Sequence, residues 1–251
     1  SMLTGVPDGM GAYLLDDSTV RYVYQSESYG PINRQESVPF FVNEQSHVSI
    51  TGSHIHYIDL DREKLSKYFD QGAPSNSVHM VKDSGDAVAK MYNLQRQPVG
   101  KRSSDGPSSA AMDSSVNTTG HYIVTKLPSK ADWIMMSLCA AHLEEKHQWG
   151  VDKGVEDNLF ITNEEWHSYD SGATGIIGLP VHVLDFSTKT LWATSAFGLA
   201  GHEKVVEVNS GTTDFVAFVP SGYNGNFGGQ FPQVVAKRNA EYTRSDGKPY
   251  V

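Results

Sequence analysis

Residues 181–193 read VHVLDFSTKTLWA. Two runs rich in β-branched and apolar residues flank Asp185-Phe186-Ser187-Thr188-Lys189, whose short polar side chains favour a tight turn, so the stretch reads as a β-hairpin. The same arrangement recurs along the chain. Residues 8–24, DGMGAYLLDDSTVRYVY, set two β-prone runs about an Asp16-Asp17-Ser18 turn. Residues 54–65, HIHYIDLDREKL, and 205–219, VVEVNSGTTDFVAFV, repeat it, with Asp59, Asp185 and Asn209 at comparable places before their turns. Repeated hairpins of this kind predict an all-β fold. A β-propeller, in which four-stranded sheets stack around an axis, accommodates them and lets long loops converge at one end of a central channel. A β-sandwich built from the same hairpins is the alternative.

The 251 residues suffice for one domain with a substantial core. We read a single domain over residues 3–251. Residues 71–119, rich in Ser, Asp, Gly and Pro, form a loop-rich insertion within it. Inside that insertion, residues 86–94, DAVAKMYNL, are expected to form a helical turn or two. Residues 121–125, HYIVT, read as a strand. Residues 131–140, ADWIMMSLCA, are apolar enough for a buried strand or a short helix, and length does not decide between them. The visible hairpins are few for a closed ring. The expectation is therefore a partial propeller, or one whose ring closes by another route.

Composition excludes several classes. The net charge is −9, from 20 basic and 29 acidic residues, which argues against nucleic acid as a partner and leaves room for cations. The single cysteine, Cys139, rules out an internal disulfide. No stretch has the apolar length of a membrane-spanning helix. Ser1-Met2 before Leu3 reads as a cloning remnant. A targeting segment is therefore expected to have been removed, placing the protein outside the cell, in the periplasm or at the surface. Asn117-Thr118-Thr119 fits the N-glycosylation pattern.

Residues 139–166, CAAHLEEKHQWGVDKGVEDNLFITNEEW, concentrate the groups that could do chemistry. A lone thiol precedes a strand-like run, residues 158–162, that delivers Glu164 and Glu165. Strand ends are where a rigid scaffold presents functional side chains. Adjacent carboxylates repel unless a cation, an arginine or a shared proton intervenes. Two solvated surface acids and a buried structural thiol are the plainer reading of the same residues. Two further acids lie just beyond or before strands: Glu27, followed by Arg34, and Glu203 in the pair His202-Glu203. Arginine binds phosphate oxygens in a bidentate fork. A thiolate suits iron, zinc or copper, and carboxylates suit calcium. There is no paired-cysteine or HxxxH zinc spacing. The glycine-rich stretch 222–229 lacks the strand-to-helix context of a phosphate loop. Ser137 lacks a nucleophile elbow.

Taken in order, these pieces resemble the PhoX-type alkaline phosphatases and their bacterial and algal relatives. Residues 7–13, PDGMGAY, are similar to the family's DGLGAF hairpin. Ser26-Glu27 and Gly30 stand where the family has NHE-x-G, and Arg34 where a family arginine follows. Leu138-Cys139-Ala140 is similar to CA or CSADL, residues 160–165, FITNEE, to FxxGEE or LTCEE, and Gly201-His202-Glu203 to FSHE or SWEN. The resemblance covers roughly residues 5–220. It implies a β-propeller that holds iron and calcium ions and hydrolyses small phosphate esters. On that basis Glu27, Cys139, Glu164, Glu165 and Glu203 are metal ligands and Arg34 binds the phosphate. The chain departs from the family at Gln25-Ser26, where the family has Asn-His, and at residues 219–222, VPSG, where it has an acidic pair. The alternative is a non-catalytic extracellular propeller that binds calcium or a partner through a degenerate site. A carbohydrate-active propeller using Glu164 and Glu165 is a third reading.

Overall fold

A computed structural model describes residues 6–27, 38–43, 46–50, 54–71, 78–92, 96, 98–99, 114–116, 122–124, 138–164, 180–198, 202–222 and 234–237. The fold is mostly β. In chain order the strands are β1 (Val6–Asp16), β2 (Thr19–Glu27), β3 (Val38–Asn43), β4 (Ser46–Ile50), β5 (His54–Asp61), β6 (Val81–Asp86), β7 (Lys90–Tyr92), β8 (Pro98–Val99) and β9 (Ser114–Val116). They continue with β10 (Tyr122–Val124), β11 (Leu138–Glu144), β12 (Leu159–Glu164), β13 (Val181–Asp185), β14 (Thr190–Thr194), β15 (His202–Val208), β16 (Phe215–Gly222) and β17 (Val234–Lys237). Among the described residues one α-helix, α1 (Arg62–Gln71), follows β5. Three sheets hold the described core, in the orders β1-β2-β5-β6, β11-β12-β13-β14-β7-β8 and β15-β16-β17. The pairs β3-β4 and β9-β10 stand apart. The pairing of β14 with β7 is parallel, and the other pairings are antiparallel.

Three of the four expected hairpins form, and one local device closes them. Asp16 Oδ1 accepts from Ser18 N, Asp185 Oδ1 from Ser187 N, and Asn209 Oδ1 from Gly211 N, each at 2.8 Å. Such Asx turns give the backbone a partner where the sheet ladder stops. The fourth stretch behaves differently. Asp59 lies inside β5, where Arg21 grips it with two bonds of 2.7 Å. The strand runs on to Asp61, whose Oδ1 accepts from Lys64 N at 3.0 Å and caps α1. A Glu63–Lys67 ion pair at 2.5 Å supports the helix one turn along. A capping acid followed by good helix formers overrides the turn expected over residues 54–65.

The segment 71–119 also contributes strands: β6 extends the first sheet and β7 the second. Where a helical turn is expected over residues 86–94, residues 90–92 form strand β7 instead, and residues 93–94 lie outside the described part. Met91 is buried in the core, and Tyr92 stacks on Trp192 across the parallel pair, with 4.2 Å between ring centroids and 10° between planes. Of the apolar run 131–140, residues 138–140 belong to β11 and residues 131–137 lie outside the described part; the strand expected over residues 121–125 is β10.

The second sheet is covered on both faces. Alternation along β12 sends Phe160 one way and Leu159 and Ile161 the other. Phe160 joins Leu138, Leu184 and Leu191 against Tyr13, Val23 and Ile55 of the first sheet. Leu159, Ile161 and Val181 meet Val205, Val216 and Phe218 of the third. Each fully buried side chain of this size is worth about 1.5–3 kcal/mol, so the two seams hold the stack together. Glycine sets the first seam. A Cβ on Gly9 would lie 1.8 Å from Ala141 N, and one on Gly11 would lie 2.5 Å from Leu143 Cβ. Two glycines spaced by two residues strip one face of β1, so that it can lie directly on β11.

Candidate functional site

β2 and β12 end, and β1, β11 and β15 begin, where the three sheets are tied together by polar bonds. Each sheet carries a β-bulge there. In the first, Asp8 and Gly9 together oppose Gln25, between the pairs Pro7↔Ser26 and Met10↔Tyr24. In the second, Ala140 and Ala141 oppose Thr162, between Cys139↔Asn163 and His142↔Ile161. In the third, Glu203 is the extra residue between His202↔Gly222 and Lys204↔Ser221. Ala140 has a φ of +25°, a backbone conformation costly for a residue with a Cβ. Bulges re-aim side chains and gather beside functional sites.

The bulges are joined to one another. Asp8 Oδ2 accepts from Ala140 N at 3.2 Å, linking the first to the second. Gln25 and Thr162, which face those two bulges, hydrogen-bond side chain to side chain in a fully buried setting. Asn163 Nδ2 donates to Ala140 O at 3.0 Å and to Glu203 O at 3.4 Å, linking the second bulge to the third. Gln25, Ser26, Thr162 and Asn163 are all fully buried.

The first two hairpins are built alike. Opposite each bulge the outgoing strand runs two residues further and stops, at Ser26-Glu27 in one and Asn163-Glu164 in the other. Glu27 pairs with Val6, and Glu164 with Leu138. The two glutamates therefore hold equivalent places, each the last residue of its strand.

Of the six residues expected from the sequence, the fold brings four backbone positions to this junction: Glu27, Cys139, Glu164 and Glu203. Cys139 and Glu203 are half-buried. The side chains of Glu27 and Glu164 lie outside the described part, as do Arg34 and Glu165 altogether. Among the described residues, no group of three or more His, Cys, Asp or Glu stands close enough to hold a metal ion. The sequence assigns no site role to Asp8, Gln25, Thr162 or Asn163. The available signal was polar residues inside β-prone runs, where a buried polar group needs a specific partner.

At the bulges, the buried atoms Gln25 Nε2 and Asn163 Oδ1 lack a hydrogen-bond partner among the described residues. Leaving such a group unsatisfied costs about 1–3 kcal/mol. Burial drives the imidazole of His182 down to about 3 and keeps it neutral. It also lowers that of His202, against the pull of backbone bonds to Gly198 and Phe197.

A second polar centre lies at the far end of β11. Glu144 and Glu207 are buried across the seam between the second and third sheets. Gln148 Nε2 donates to both, at 2.6 and 3.0 Å, and Glu207 N donates to Glu144 Oε1 at 2.6 Å. Desolvation pushes the Glu144 carboxyl up to about 7. The Glu207 charge adds to the rise, while the bonds from Glu207 N and Gln148 and the charge of Lys204 oppose it.

Comparisons with protein-family models, with curated proteins and with solved structures returned no match to the chain.

Proposed function

We propose that the chain is a metal-dependent phosphoric-ester hydrolase of the kind its ordered motifs resemble, the PhoX-type alkaline phosphatases. Its three sheets would be consecutive blades of a β-propeller. The observation that carries the reading is the convergence of one bulge from each sheet beside Cys139, Glu203 and the equivalent strand ends at Glu27 and Glu164. The donor chemistry fits the implied iron and calcium: a half-buried thiol, several carboxylates, and an orphaned buried amide oxygen on Asn163. Cys139 would hold iron, and Glu27, Glu164 or Glu165, and Glu203 would share iron and calcium. Such ions neutralise phosphate oxygens and activate water. Among this chain's own residues, Arg34 would clamp a phosphate oxygen, and the buried Gln25-Thr162 and Asn163 ties would keep the rim from shifting.

The substrate class is a small phosphate ester, and the setting is extracellular, periplasmic or at the cell surface. The test is elemental analysis of the purified protein, followed by assay of the metal-loaded protein on phosphomonoesters and diesters across pH. Iron with calcium and turnover supports the reading. A metal-loaded protein that cleaves neither class at any pH refutes it.

One set of observations favours the second reading, a non-catalytic propeller that binds calcium or a partner. Gln25-Ser26 replaces the family's Asn-His, and residues 219–222 carry no acidic pair. Calcium without iron, and without turnover, is its signature.

A further inference from the structure

We infer that Asn163 is itself a cation ligand, its Oδ1 sharing one divalent first-row transition-metal ion with the Cys139 thiolate. The inference rests on the metal-binding reading above and adds a residue that the motif resemblance does not supply. At this place the family pattern has Gly or Cys, and this chain has an amide.

Three observations place the amide oxygen. Asn163 and Cys139 are direct partners in the antiparallel β11–β12 pair, so their side chains leave the same face of the sheet, from Cα atoms about 4.5–5.5 Å apart. The side-chain nitrogen is fixed by two carbonyl oxygens, Ala140 O and Glu203 O. An oxygen in that position would face two acceptors, so the amide has one admissible orientation. The remaining atom, Oδ1, is fully buried and has no hydrogen-bond partner among the described residues.

A buried acceptor on the sheet face it shares with the paired Cys139, its orientation locked by two carbonyls, wants a donor or a cation. A water molecule would satisfy the oxygen alone. A metal ion satisfies the oxygen and uses the thiolate as well. An amide oxygen is a hard donor and a thiolate a soft one, a pairing that suits a borderline first-row divalent ion better than calcium. Glu203, whose carbonyl accepts from the same amide, is the nearest described carboxylate by connectivity.

The test is a Co²⁺ titration of wild type, Asn163→Ala, Asn163→Asp and Cys139→Ser, read by the sulfur-to-cobalt charge-transfer band. Urea denaturation of the metal-free proteins runs alongside it. Wild type should develop the band, and Cys139→Ser should lose it. Asn163→Ala should weaken Co²⁺ binding by about tenfold or more, the scale on which metal sites respond to loss of a supporting group. Asn163→Asp is the discriminating variant. It loses both bonds to the carbonyls, so the metal-free protein should be less stable, yet it keeps an oxygen donor and should hold Co²⁺ at least as tightly as wild type. If Asn163→Asp loses affinity as Asn163→Ala does, the residue only stitches the bulges and the inference is overturned. If wild type shows no band, the metal reading itself falls. If wild type shows the band and Asn163→Ala binds equally well, only the role of Asn163 falls. Should Asn163→Asp fail to fold, Zn²⁺ addition to ¹⁵N-labelled wild type decides the matter. The Asn163 side-chain amide resonance should shift in step with binding, and an unmoved resonance refutes the ligand.

Discussion

The replacement Glu144→Gln should make this protein more stable above neutral pH and slightly less stable in acid. Glu144 is fully buried and faces Glu207, Lys204 and Gln148, with His142 Nε2 at 3.8 Å. Burial raises its carboxyl from an ordinary value near 4.5 to about 7. The sign follows from proton linkage. Between those two values the folded chain holds a proton that the unfolded chain has released, so stability falls as pH rises through the window. Above about 7 the loss is complete and the curve is flat. The gap corresponds to about 3 kcal/mol, an upper figure. Glutamine stays neutral throughout. Its oxygen can accept from Glu207 N in place of Glu144 Oε1, but its amide nitrogen stands in the place of Oε2 and cannot accept from Gln148 Nε2, which costs about 1 kcal/mol at every pH. The variant should therefore lie about 1 kcal/mol below wild type near pH 5 and exceed it by up to about 2 kcal/mol at pH 8. Urea denaturation at intervals from pH 5 to pH 8, analysed by linear extrapolation, reads the difference directly. A difference that does not change with pH would show that Glu144 does not titrate in this window, and a variant less stable than wild type at pH 8 would reverse the reasoning outright.

Other outcomes follow from the packing and the site. Gly9→Ala should destabilise by more than the 1–3 kcal/mol of ordinary overpacking, because the new methyl meets backbone at 1.8 Å. Gly11→Ala meets the Leu143 side chain and should cost less, so the order of denaturation midpoints checks the seam. Asp59→Asn removes the acid gripped by the guanidinium of Arg21 and should cost about 3 kcal/mol, read by thermal denaturation. Under the proposed metal reading, Glu164→Gln should lower the metal found by elemental analysis more than Glu165→Gln does, because Glu164 holds the place equivalent to Glu27. The opposite order would reject that equivalence.

The pieces legible in the sequence were those set by neighbours along the chain. The turns at Asp16, Asp185 and Asn209 need only a short acceptor two residues before an amide, so composition and spacing reveal them. The β-prone runs within residues 158–162 and 181–185 reveal strands because that preference is local. The stretch 54–65 misled because Asp61 can serve a turn or cap a helix, and the choice lies in residues further on. The segment 86–94 misled because β7 joins the second sheet by pairing with β14, about a hundred residues later.

The site divides the same way. Residue types alone drew attention to Glu27, Cys139, Glu164 and Glu203, and their order along the chain carried the family resemblance. Nothing local distinguished Glu164 from its neighbour or picked out Asn163. Those distinctions depend on register: which residue faces a bulge, and how far a strand runs past it. A bulge is a mismatch between two strands, and its partner strand lies elsewhere in the chain. The all-β character and its turns were therefore determined by the sequence itself, through short-range chemistry. The bulges that gather Asp8, Ala140 and Glu203 at one junction, and the burial that lifts Glu144, were decided only when the three sheets packed together.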